Sequence, residues 1–267
     1  NTKVRLIDMG ALEAVPASGE VKASEVREEY EEFNADQYAK YFEVSRKNLI
    51  NDDLDVFTDT PRILGVRGAQ KIAELVYTHL LANGNMKDAV ALFHANHRNL
   101  NTTTPLDSDG LKTAILNFRN QTDGKKGSAY KGEPIDVEPS RLIVPPTLEN
   151  TARGLLESDL IIRALAGSTD ADVIQPTKNI YRGAMELVVE PRLENAQYTG
   201  YSDADWYVTG APSVCDTLIV AFLGGKQVPT VERFVAQYDR LGIAFRVLMD
   251  VGVKSLDWRC MQKNDAA

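Results

Sequence analysis

The chain has 267 residues, 43% of them hydrophobic and 25% charged, which is the composition of a folded globular protein and not of a disordered one. Its 30 Lys and Arg oppose 38 Asp and Glu, and the net charge of -8 argues against a nucleic-acid coat or a membrane-surface binder, both of which need a basic face. No apolar run reaches the roughly 18 residues of a membrane helix, and NTKVRLIDMG at the start lacks the basic stretch and apolar core of a secretory leader.

Residues 20–36 hold seven acidic side chains, Glu20, Glu25, Glu28, Glu29, Glu31, Glu32 and Asp36, against only Lys22 and Arg27. Next, Tyr38, Lys40, Phe42 and Val44 alternate with Ala39, Tyr41, Glu43 and Ser45, the period of two expected of a strand. KVRLIDMGAL precedes the acidic run, and Pro16-Ala17-Ser18-Gly19 between the flanks is turn chemistry. Residues 3–46 therefore read as a long two-stranded excursion. Such a ribbon has too little core to stand alone and needs a partner surface.

Thr60 as N-cap and Pro61 at the first helical position open a helix over 61–82. Its apolar positions are Ile63, Val66, Ile72, Ala73, Val76 and Leu80, and Asn83-Gly84 closes it. At 1.5 Å per residue it is roughly 33 Å long, a spine for something extended. Residues 111–119 read as a helix capped by Ser108 or Asp109, and 148–165 as another after Pro145-Pro146. Strand candidates are 141–144, 185–189, 206–209, 218–223 and 243–249. The class is mixed α+β without regular βαβ alternation.

Chemistry-bearing patterns are weak. His94 and His97 lack a third ligand at zinc spacing and read as histidines hydrogen-bonding a turn. Asp52, Asp53, Asp55 and Asp59 fail the calcium-loop pattern, which needs glycine at position six and glutamate at position twelve. Gly124-Lys125-Lys126-Gly127 and Gly224-Gly225-Lys226 lack phosphate-loop spacing, and no G-x-S-x-G elbow occurs. Cys215 and Cys260, too few for a disulfide framework, read as free thiols of a reducing compartment. No catalytic residue, metal ligand or cofactor is expected, and an enzyme is disfavoured.

In order along the chain stand YFEVSRKNLINDDLDVF, LFHANHRNL, SRLIVPPTLENTARGLL, ELVVEPRL, WYVTG and VGVKSLDWRCMQKN. As a set they resemble the major capsid subunit of Mu-like tailed phages, including versions fused to a prohead protease. That resemblance implies the Hong Kong 97 capsid fold. It implies an extended loop with flanking strands over 1–50 and a peripheral domain over 51–104 with the spine helix 61–82. It further implies an axial domain over 105–240 and a strand over 241–267 that returns to the peripheral domain.

The implied function is self-assembly into hexamers and pentamers of an icosahedral virion head enclosing double-stranded DNA without sequence-specific binding. A bacterial nanocompartment shell of the encapsulin type is the alternative. Implied partners are other copies of the chain, with decoration or cement protein, portal and scaffold beyond them, and no membrane. Assembly would take place in the bacterial host cytoplasm. Expected assembly contacts are Glu20, Lys22, Glu28, Glu29, Glu31 and Glu32 on the acidic ribbon, against Arg62, Arg67 and Lys71 on the helix. Some capsids of this fold carry a Lys–Asn isopeptide cross-link, for which Lys22 would be the donor and Asn264 or Asn179 the acceptor; that chemistry needs a glutamate base in an apolar pocket, no such glutamate stands out, and Lys22 reads as a solvated lysine. Relatives tend to have glycine where Arg98 and Cys260 stand.

Overall fold

The computed structural model describes residues 2–7, 27–51, 60–124, 132–164, 174–213, 215–235 and 242–266. The chain forms two compact units, the first made of residues 32–80 and 218–254, the second of 2–31, 81–217 and 255–267.

In the first unit, β3 (Asp36–Ser45) leads into the short α1 (Arg46–Ile50) and then the long α2 (Thr60–Ala82). β10 (Leu218–Phe222), β11 (Thr230–Val235) and β12 (Gly242–Ser255) complete it. β12 is the central strand, antiparallel to β11 through Val247↔Val231 and to β3 through Phe245↔Phe42. At Gly65 and Gly68 α2 has no side chain to hold it off the sheet. A Cβ on Gly68 would sit 2.8 Å from Pro229 and 3.3 Å from Val247. Leu64, Val44, Ala244, Val247, Met249 and Val251 are buried here.

The period of two in residues 38–45 does make a strand, but its partner is β12. The ribbon's second strand is instead the glutamate-rich β2 (Arg27–Glu32), which pairs with β1 (Thr2–Ile7). A period of two identifies a strand without choosing its neighbour, and ten consecutive pairs with β12, from Gly242↔Ser45 to Val251↔Asp36, settle the choice. The Pro/Gly tip at 16–19 lies outside the described residues, as do Asp52 to Asp59 and the 125–127 stretch.

The second unit is built on a five-stranded mixed sheet in the order β4 (Leu100–Asn101), β13 (Met261–Asn264), β9 (Trp206–Gly210), β5 (Pro139–Val144), β8 (Glu186–Val189). α3 (Ser108–Arg119) and α4 (Glu149–Glu157) bury Leu111, Ala114 and Phe118, and Ala152, Leu155 and Leu156, at helical spacing in the same core as Leu142, Val144, Trp206 and Val208. The α3 cap is Asp107, whose carboxylate accepts from the Gly110 amide at 2.6 Å, and not Ser108 or Asp109.

The helix expected over 148–165 stops at Glu157, and β6 (Leu160–Ala164) then pairs with β7 (Ile174–Lys178). Its end is closed from outside. The Asn179 amide donates to the Leu155 and Ser158 carbonyls, and the Gly183 N–H donates to that of Leu156.

The cysteines correct another expectation. Cys215 and Cys260 are joined in a disulfide, with Cα atoms 6.1 Å apart despite a sequence separation of 45. The link is long-range, so spacing along the sequence carried no trace of it.

Candidate assembly surface

β3 and the first half of α2 bound a groove of about 720 Å³ in the first unit. Tyr38, Phe42, Ile63, Leu64 and Met249 give it apolar walls, and Lys40, Arg67 and Lys71 supply cations against the one acid, Glu74. The Lys71 ammonium pairs with Glu74 one helical turn away and sits 5.5 Å from the Tyr38 ring centroid. The Arg67 guanidinium donates to Gln70 Oε1 at 3.0 Å and is exposed, as is Arg62. Arg67 and Lys71, singled out from sequence, therefore share one groove.

Ile63 and Val66, which the helical period assigns to a buried face, are 51% and 49% exposed. Among the described residues, nine large apolar side chains of the first unit are exposed: Tyr41, Phe42, Ile50, Ile63, Val66, Leu223, Val228, Val231 and Phe234. The larger second unit exposes four, Leu116, Leu160, Ile180 and Tyr201. Exposed large apolar side chains are thus more numerous on the smaller first unit. Composition gave no sign of it, because the residues come from four separate stretches of the chain.

Of the ribbon residues, Glu20 and Lys22 lie outside the described set, while Glu28 and Glu29 lie on β2. Glu32 is exposed. Glu31 is buried, and its carboxylate accepts from the Lys87 amide at 2.8 Å within the second unit. The cross-link acceptors are buried and hydrogen-bonded. Asn179 holds the end of α4 and accepts from the Tyr181 amide, and Asn264 accepts from Asn101 Nδ2 at 2.7 Å. Both side-chain amides are engaged by partners within this chain.

The histidine segment forms a polar node in the second unit. His94 Nδ1 accepts from the Asn96 amide and caps a short 3-10 turn, Ala95–His97. His97 is fully buried between the Leu92 carbonyl, 3.1 Å from Nδ1, and the Asp88 carboxylate, 2.8 Å from Nε2. Asn99 donates to the Leu92 and Trp258 carbonyls and accepts from the His94 amide. Arg98, where relatives tend to have glycine, has φ of 57° in the left-handed region that favours glycine. Nearby, burial above all, and then the charges of Asp205 and Asp265, push the Tyr207 phenol far above its usual range. No helix among the described residues is long and apolar enough to cross a membrane.

The mixed architecture, with a long helix on a sheet in one unit and a five-stranded mixed sheet in the other, is the Hong Kong 97 capsid fold. The family model for phage capsid protein matches residues 28–264, and the chain belongs to that family as a shell-forming major capsid protein. No curated protein matches it. The fold is similar to that of Gordonia phage Cozz, at 12% identity over 100% of this chain and 81% of the other, with a TM-score of 0.56. It is similar to the Cyanophage Pam1 capsid asymmetric unit, at 11% identity over 100% and 85%, with a TM-score of 0.56. It is also similar to the SrpI encapsulin complex of Synechococcus elongatus, at 13% identity over 99% and 82%, with a TM-score of 0.50.

Proposed function

We propose that copies of this chain assemble into the hexamers and pentamers of an icosahedral head around double-stranded DNA. In this reading the first unit is the peripheral domain, the core of the second unit is the axial domain, and the acidic segment 20–36 reaches a neighbouring copy. The observation that carries it is the concentration of exposed apolar side chains on the first unit, beside a groove where Lys40, Arg67 and Lys71 outnumber Glu74. An acidic ribbon complements that rim in charge, and the apolar walls supply the burial that exposed ion pairs, at about 0–1 kcal/mol each, do not.

The net charge of -8 fits a wall that does not bind packaged phosphates. The protein then needs no catalytic centre. Assembly takes place in the host cytoplasm, and scaffold, portal and a cement protein are the further partners.

Electron microscopy of the expressed chain tests this. Closed shells are expected from the unaltered protein. Subunits that stay folded and unassembled are expected from the double variant Ile63→Asp, Val66→Asp, and from reversal of three or four ribbon glutamates together. Normal shells from both variants would sink the reading. The similarity to an encapsulin supports a second reading, a nanocompartment shell, and shells that enclose protein cargo and no DNA would favour it.

A further inference from the structure

The chain leaves its second unit between residues 217 and 218 and re-enters it between 254 and 255. Cys215 lies just before the first crossing and Cys260 just after the second, and the two are bonded. The bond turns everything between them into a closed loop whose ends are tied at one place in the second unit. The backbone repeats the tie more weakly: the Thr217 carbonyl accepts from the Leu256 amide at 2.8 Å and the Asp257 amide at 3.4 Å. The enclosed segment holds β10, β11 and β12, and with them Leu223, Val228, Val231 and Phe234 of the exposed apolar face.

The surroundings accommodate the open form of this bond as well as the closed one. Asp257 Oδ2 lies 3.1 Å from Cys215 Sγ, while Oδ1 accepts from the Arg259 amide at 3.1 Å and its guanidinium at 3.0 Å. With the bond reduced, the Cys215 S–H has that carboxylate oxygen as its acceptor, so a buried donor is not stranded. Both cysteines are buried, and Cys215, at 9% exposure against 1% for Cys260, is the less deeply buried residue.

We propose that Cys215 and Cys260 are a reversible redox staple, a dithiol in a reducing milieu and a disulfide once the chain meets a low-molecular-weight disulfide, RSSR. The Cys215 thiolate attacks one sulfur of RSSR and displaces RS⁻, which takes up the proton that Cys215 gave up. The Cys260 thiolate then attacks the Cys215 sulfur of the mixed disulfide and displaces the second RS⁻, which is protonated in turn. The two protein thiols are oxidised by two electrons, RSSR is reduced by two, and two RSH leave. Excess thiol runs the sequence backwards and reopens the loop.

Thiol trapping on the full-length protein tests the staple, whether or not shells have formed. Protein made in a reducing cytoplasm and alkylated at lysis should carry two labels per chain. After incubation with oxidised glutathione it should carry none and run faster as a monomer on a non-reducing gel, and dithiothreitol should reverse both changes. The closed form should melt on the order of 10 °C above the open form, and Cys260→Ser should melt like the open form and ignore dithiothreitol. Cysteines that remain alkylated after oxidised glutathione, disulfide-linked dimers, or a bond that dithiothreitol cannot open in the folded chain would each overturn the proposal. So would one zinc ion per reduced chain, held by Cys215, Asp257 and Cys260 and blocking closure. Trapping on the unaltered chain decides the matter even where Cys260→Ser does not fold.

Discussion

His97 and Trp258 stack face to face, with ring centroids 4.6 Å apart and planes 5° from parallel. On Trp258 the Arg259 guanidinium also packs, 4.3 Å from the ring centroid. The histidine turn and the return from β12 are thereby fastened through one indole. His97→Ala removes the stack together with hydrogen bonds to the Leu92 carbonyl and the Asp88 carboxylate. A loss of roughly 2–4 kcal/mol is expected, read as a shift in the urea midpoint at unchanged m-value. A variant within a few tenths of the parent would contradict this account of the node.

Arg259 is 3% exposed and tied on two sides. Its Nε and Nη2 donate to the Asp123 carbonyl at 3.0 and 2.7 Å, and its Nη1 donates to Asp257 Oδ1 at 3.0 Å. Lysine keeps the charge and loses the fork, so Arg259→Lys should destabilise although it is formally conservative. Arg259→Ala also leaves the buried Asp257 without this cation and should cost about 3–5 kcal/mol. Equal midpoints for the Lys variant and the parent would show that the fork geometry is not needed.

How much of this was legible beforehand varied with the range of the interaction. The helix over 61–82 and the strand over 38–45 are local patterns, and both elements form, within α2 and β3. Asn83, with φ of 45°, takes the left-handed position after α2, where either it or Gly84 was open. Partnerships at long range were not legible: β3 with β12, Cys215 with Cys260, His97 with Trp258. The period also misplaced Ile63 and Val66, since helical spacing does not say which apolar positions a helix buries. Within the groove, Arg67 and Lys71 came from charge bookkeeping along a helix. Its aromatic wall of Tyr38 and Phe42 needed the sheet.

Gly68 offers a packing test of the first unit. A Cβ there meets Pro229 Cβ and Cγ at 2.8 Å and Val247 Cγ2 at 3.3 Å, so α2 must lift from the sheet to accept any side chain. Gly68→Ala gains about 1 kcal/mol of helix propensity but should still lose roughly 1–3 kcal/mol net through overpacking. Gly154 of α4, where a Cβ would meet nothing within 4 Å, is the control, and Gly154→Ala should stabilise. Thermal melts of the two variants should move in opposite directions.

Acid sensitivity has a nameable contributor in His79 on α2. Burial is the larger cause, and the charge of Lys254 the smaller, that lowers its pKa below 6.5 in the folded chain. Well above that value the ring is neutral in folded and unfolded chains alike, and it makes no difference to stability. As pH falls through it, the unfolded chain takes up a proton that the folded chain refuses, so stability drops, and the drop continues until the folded-state pKa is reached. His79→Gln removes the titration, and between about pH 7 and pH 5 its stability should fall less steeply than the parent's. Lys254→Met removes only the smaller cause and should flatten the same stretch by less. Urea midpoints of the unassembled subunit, taken across that range at fixed salt, give all three slopes. Parallel curves for the parent and His79→Gln would remove His79 from the account of acid lability.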